Sequence, residues 1–158
     1  NGEQIVLLND ENVNSYLRTE EVGNMASVSS AVPRVREKLL SLQRKLAKDM
    51  SVVMDGRDIG TTILPDADVK IYLTASSLTR AKRRYLELQE KGTVCNLDDI
   101  QKDIEERDQR DMNREISPLR QAEDAVLVDS SDLTIQQVVD RILQIFRSKT
   151  TGEDSHES

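Results

Sequence analysis

Three groups of residues have the types and spacing for chemistry. The first is Asp55-Gly56-Arg57-Asp58-Ile59-Gly60, which follows the short apolar run Val52-Val53-Met54. It brings two carboxylates and one guanidinium together within four positions. A guanidinium grips phosphate bidentately, and a carboxylate accepts from hydroxyl or amino groups. Glycine lets backbone approach a ligand closely. A tight turn with a surface salt bridge explains the same residues, and the two readings weigh about equally. The second group is Arg107, Asp111 and Arg114, spaced i, i+4, i+7 on one helix face. Two guanidiniums bracketing a carboxylate suit a phosphate beside a sugar hydroxyl. A ladder of helical ion pairs, each contributing about 0.2–0.5 kcal/mol, fits as well. The third group is Arg80, Lys82, Arg83 and Arg84, four cations within five positions. Their repulsion needs an answer, which either a polyphosphate or the acidic helix that follows can supply.

Composition removes other chemistries. The only histidine, His156, lies in a polar tail, and Cys95 is the only cysteine. Serine–histidine and cysteine–histidine catalysis, an internal disulfide and a multi-cysteine zinc site therefore lack their residues. No metal site is expected from this chain's own side chains. The net charge of −7 argues against broad binding to nucleic acid or anionic membranes. No apolar run reaches membrane-spanning length. A length of 158 residues suits one domain, and 32% charged against 37% hydrophobic residues is polar but still periodic. The chain begins with Asn1 rather than Met, so its natural start, with any targeting signal, is expected upstream.

The elements that must position these groups follow from periodicity. Gln4–Leu8 reads as a strand, Asn9–Asn12 as its turn and Val13–Leu17 as the returning strand. Thr19 caps a helix that loosens at Ser27–Ser30, and Pro33 opens another. Val35, Leu39, Leu42 and Leu46 form a 4-3-4 stripe expected to be buried; Arg36 falls off it and reads first as a solvated charge. Val52–Met54, Val69–Leu73 and Ala125–Asp129 read as core strands. A helix capped by Ser76 or Ser77 runs to Lys91 and stops at Gly92, burying Leu78, Ala81, Tyr85 and Leu88. Asn96 caps the next, which buries Leu97, Ile100 and Ile104, then loses its apolar stripe and ends before Pro118. Thr134 with Gln137 forms a capping box for a last helix with Ile135, Val138, Val139, Ile142 and Phe146 on its apolar face. From Ser148 onward disorder is expected. Strands separated by helices predict an α/β fold with a parallel sheet, plus a small antiparallel excursion at the N-terminal end.

Taken in order, RTEEVGNMAS, PRVREKLLSLQR, DGRDIGT, PDADVKIYLTAS, RYLELQEKG, ERDQRDMNREISPL and AVLVDSS closely resemble the bacterial cytidylate kinases over about Val13 to Arg147. The resemblance implies a P-loop nucleoside monophosphate kinase that uses ATP and Mg2+ to phosphorylate CMP and dCMP, a cytoplasmic monomer in pyrimidine nucleotide metabolism. By position, Ser27, Arg36 and Asp58 resemble the groups that read cytosine. Arg57 and Arg114 resemble the catalytic ligands of the acceptor α-phosphate. Arg107 and Asp111 resemble pentose contacts. Arg80, Arg83 and Arg84 resemble the lid arginines that approach the ATP phosphates. One kinase-like domain is implied over 1–149, with a monophosphate region near 1–31, lid helices near 76–117 and a disordered tail at 150–158. The departure is large: no GxxxxGK[ST] occurs in the 158 residues. In the family the P-loop strand lies between the counterparts of the Val52 and Val69 strands. A chain without it is expected to be poorly stable or part of a longer protein. An inactive CMP-binding module or a structural fragment are the competing expectations.

Overall fold

Asn9 and Asp10 both adopt positive φ, 50° and 67°, which is the backbone a two-residue hairpin turn requires. That turn sets the register at the start of the chain. The computed structural model describes residues 2, 4–17 and 19–151, and it divides into two compact units, Asn1–Ser51 and Val52–Ser158.

In the first unit, β1 (Leu7–Leu8) pairs antiparallel with β2 (Glu11–Asn12), Leu7 opposite Asn12 and Leu8 opposite Glu11. The return strand is therefore Glu11–Asn12 and not Val13–Leu17. Asn and Asp tolerate the left-handed region, so two residues suffice where four were expected. Val13–Leu17 instead continues through turns, with Tyr16 N–H on the Val13 carbonyl at 3.0 Å. Helix α1 (Glu20–Ser29) is capped by Thr19, whose hydroxyl accepts from Val22 N–H. Helix α2 (Pro33–Asp49) opens on its proline and buries no residue. Its stripe of Val35, Leu39, Leu42 and Leu46 is exposed, against expectation. Amphipathic spacing specifies a face that wants cover; it does not supply the cover.

The second unit is built on a parallel pair, β3 (Ile71–Thr74) and β4 (Val126–Asp129), with Ile71 opposite Val126 and Thr74 opposite Asp129. Between them run α3 (Ser77–Glu90) and α4 (Leu97–Asn113); α5 (Ile135–Thr150) follows. Ser76 caps α3 and Gly92 follows it with φ 72°. Asn96 accepts from Asp98 and Asp99 N–H to cap α4, and Thr134 with Gln137 forms the capping box of α5. The chain is thus α/β, with a small parallel sheet and an antiparallel excursion before it.

Ile63, Ala75, Ala81, Val128 and Ile145 are the buried apolar residues among those described. Val52–Met54 belongs to no ladder among the described residues, and Val53 is fully exposed. A β-branched run becomes a strand only when a neighbour takes its N–H and C=O groups. On α5 the buried residue is Ile145, while the expected face members Ile135, Val139 and Phe146 stay exposed. Two strands about 4.8 Å apart are too narrow to cover so wide a stripe. Helix α5 also carries Ser148–Thr150, expected to be disordered; the rest of that expected tail, from 152, lies outside the described residues. At the start of β3, buried Lys70 donates from Nζ to Pro65 O and pairs with Asp124 Oδ2 at 2.7 Å. It ties the loop before β3 to the loop before β4. No helix among the described residues is long and apolar enough to cross a membrane.

Candidate functional site

The Asp58 carbonyl accepts from Thr62 N–H at 2.9 Å and Ile63 N–H at 3.2 Å, and the Ile59 carbonyl from Leu64 N–H at 2.7 Å. The last two, both i→i+5, make Ile59–Ile63 one π-helical turn where a plain loop was expected. Such single turns are frequent at functional sites. Gly56 belongs to the same corner: a Cβ there would lie 3.0 Å from Ile59 Cγ1. The turn holds Asp58 only 7% exposed.

Helix α4 brings the facing residues. Asp111, only 4% exposed, lies in its last turns, and Leu119 N–H returns to the Asp111 carbonyl at 2.8 Å. Arg114 is not on the helix but caps it in an extended conformation, its Nε donating to Ser117 O at 2.7 Å. Arg57 Nε donates to Asp111 Oδ2 at 2.8 Å. Arg114 Nη1 stands 4.0 Å from Asp111 Oδ1, and its Nη2 stands 4.0 Å from Asp58 Oδ1. The order Arg57, Asp111, Arg114, Asp58 therefore alternates in charge across two elements fifty residues apart in sequence. A surface turn and an isolated helical ladder do not describe this arrangement.

The cluster is incomplete. Arg114 Nη2 and Arg107 Nε are buried without a hydrogen-bond acceptor. A buried donor left unmade costs about 1–3 kcal/mol. Acceptor oxygens, such as those of a phosphate or a sugar hydroxyl, would satisfy each. Arg57 has 42% of its side chain exposed, so this end of the cluster meets solvent.

The α3 arginines are engaged separately. Arg80 Nη1 donates to Asp108 Oδ1 at 3.1 Å and Nη2 to Asp108 Oδ2, while Nε donates to Ala75 O at 3.1 Å. Its hydrogen bond to Asp108 is the main reason its pKa is raised further. Arg83 donates to Ser130 Oγ at 3.1 Å and to Ser130 O. Arg84 pairs with Glu87 at 2.9 Å. Beside them Glu105 accepts from Ser77 Oγ at 2.7 Å and Gln101 Nε2 at 2.9 Å, and these bonds, Gln101 first, hold its carboxyl below the usual range. Of the two expected answers to the cationic crowding, the acidic helix supplies the one for Arg80. In the first unit, Ser27 in α1 accepts at its carbonyl from Ser30 Oγ at 2.9 Å, and Arg36 in α2 donates to Ser30 O at 3.1 Å. Ser30 thus joins two expected base-reading residues.

Asp108, Ser30 and Ser130 were not singled out by sequence reasoning. Asp108 adjoins Arg107 and lies 28 positions after Arg80, a separation no periodicity relates.

In this α/β unit the segment before the π turn and the end of α4 interleave guanidiniums and carboxylates. The family model for cytidylate kinase matches residues 2–148, and the chain belongs to that family. It is 51% identical to a cytidylate kinase of Lactobacillus johnsonii over 148 residues, covering 94% of this chain and 64% of the relative. It is 50% identical to one from Caldicellulosiruptor saccharolyticus over 145 residues (92% and 64%) and 51% identical to one from an Enterobacter species over 148 residues (94% and 65%). The chain spans about two thirds or slightly less of the curated relatives it matches.

Proposed function

We propose that the Arg57–Asp58–Asp111–Arg114 cluster holds CMP or dCMP for phosphorylation by ATP, in a cytoplasmic, monomeric pyrimidine-nucleotide kinase with one kinase-like domain over 1–149. The two buried guanidinium nitrogens without acceptors carry this reading. In it Arg57 and Arg114 are the catalytic residues: they grip the α-phosphate and neutralise charge as the phosphate is attacked. Arg107 and Asp111 hold the pentose. Asp58 accepts from the cytosine amino group; Ser27 and Arg36, in the first unit, are the other residues assigned to base recognition by the family resemblance. Arg80, Arg83 and Arg84 face the donor phosphates. Positioning and charge neutralisation carry phosphoryl transfer, so no covalent intermediate is needed.

The residues present do not fit Mg2+ in the family's manner, because the 158 residues contain no GxxxxGK[ST], whose hydroxyl would be a ligand. No step here is routed through the metal. The same absent motif favours a second reading, in which this chain binds CMP and transfers nothing. Titration calorimetry of the 158-residue chain with CMP, followed by a coupled assay for ADP, separates the two. Binding is expected without turnover. Absence of CMP binding by the folded chain overturns the site assignment.

A further inference from the structure

Asp108 has no role in the cluster described above, yet it occupies both terminal nitrogens of Arg80. A carboxylate that takes a guanidinium side-on uses the same two donors that a phosphate would use. The Nε–H is spent on Ala75 O, leaving one further N–H on each terminal nitrogen. Arg80 therefore has no spare fork for an anion while Asp108 is in place. The surroundings point to an oligoanion all the same. Arg80, Arg83 and Arg84 lie i, i+3, i+4 on one face of α3. Arg83 reaches Ser130, the residue just past the carboxyl end of β4, which is the end where open α/β sheets take ligands. Among the described residues Arg84 is held by Glu87, itself about one third exposed.

We propose that Asp108 is an internal competitor for the oligophosphate ligand of Arg80. It parks the guanidinium against α4 and releases it only when a ligand carrying several phosphates arrives. Asp108 is thus a positioning residue, and it sets a threshold: a single phosphate does not displace it, and a chain of phosphates spanning Arg83 and Arg84 does. This rests on the reading that the α3 arginines face donor phosphates; it is independent of how CMP is held.

The test is calorimetric titration of the full 158-residue chain with sodium tripolyphosphate, in Mg2+-free buffer, with CMP titrated in parallel. Asp108→Asn should bind tripolyphosphate about three- to ten-fold more tightly, because the guanidinium fork is freed. Asp103→Asn, which removes one carboxylate from the same helix outside the clasp, should change affinity much less. Arg80→Gln should weaken tripolyphosphate binding in the wild-type background and abolish the gain in the Asp108→Asn background, the signature of a coupled pair. Equal or weaker tripolyphosphate binding by folded Asp108→Asn, or an equal gain from Asp103→Asn, overturns the proposal. The CMP arm reports on the proposed function by itself, and its failure leaves the clasp result readable. Should Asp108→Asn fail to fold, the Arg80 Nε–H resonance of the wild-type chain decides the matter. It should shift at saturating tripolyphosphate; if it stays fixed while Arg83 and Arg84 shift, Arg80 is a structural clasp and the competitor role is lost.

Discussion

Asp58 and Arg114 stand 4.0 Å apart, and their proposed duties predict different defects. Asp58→Ala removes the acceptor assigned to the cytosine amino group, so CMP should lose its advantage over UMP. Calorimetry with both nucleotides checks this, and an unchanged ratio refutes base reading by Asp58. Arg114→Ala removes a charge-assisted donor, worth about 1.5–3 kcal/mol. All monophosphates should then bind about ten- to a hundred-fold more weakly, without change in base preference. The same variant leaves Asp58 and Asp111 buried beside one fewer cation. A fall in melting temperature should accompany the binding loss, and added phosphate should no longer restore it.

Helix α4 is the element that does most of the positioning. Its N-terminal end is set by Asn96, which satisfies two backbone donors, and its C-terminal end by Arg114. Asn96→Ala should cost about 0.5–2 kcal/mol in urea unfolding. CMP affinity should hardly change, because the cluster sits at the other end of the helix. A large affinity loss would mean that α4 frays as one unit from its start. The π turn is the second positioning element: it gathers two donors on the Asp58 carbonyl and so holds the residue beside it. The C-terminal end of α4 does not act alone, since Arg57, from the segment before the π turn, reaches Asp111.

At the scale of the whole chain, the small core makes two predictions. Among the described residues five apolar ones are buried and none of the larger side chains is fully enclosed, while Leu73, Leu127, Val139 and Phe146 remain exposed. Domains usually unfold with about 5–15 kcal/mol; this chain should fall below that range in urea and bind an apolar dye such as ANS in its native state. A sharp transition at high denaturant without dye binding would contradict this. The second concerns acid. Glu87 is held below its usual value of 4.5, first by its hydrogen bond to Lys91 and then by Arg84. Asp124 is lowered by Lys70, and Asp129 by Ser131. A carboxyl with a depressed folded pKa adds stability that is present above the unfolded value and is lost as pH falls through the folded one. The melting temperature should therefore begin to fall as pH drops below about 4.5, and Glu87→Gln should flatten part of that fall, modestly because the group is exposed.

The sequence by itself determined what local chemistry controls: the caps at Thr19, Ser76, Asn96 and Thr134, the β3 and β4 strands to within a residue or two, and the presence of Arg57, Asp58, Arg107, Asp111 and Arg114. Caps and periodicities are set by neighbours in the chain, so they can be read along it. Tertiary structure decided everything that depends on a distant partner. It left Val52–Met54 unpaired and the α2 stripe exposed, because ladders and burial need cover from elsewhere. It also joined Arg57 to Asp111 and gave Arg80 to Asp108. Those pairings depend on where separate elements meet, and no spacing within one element records that.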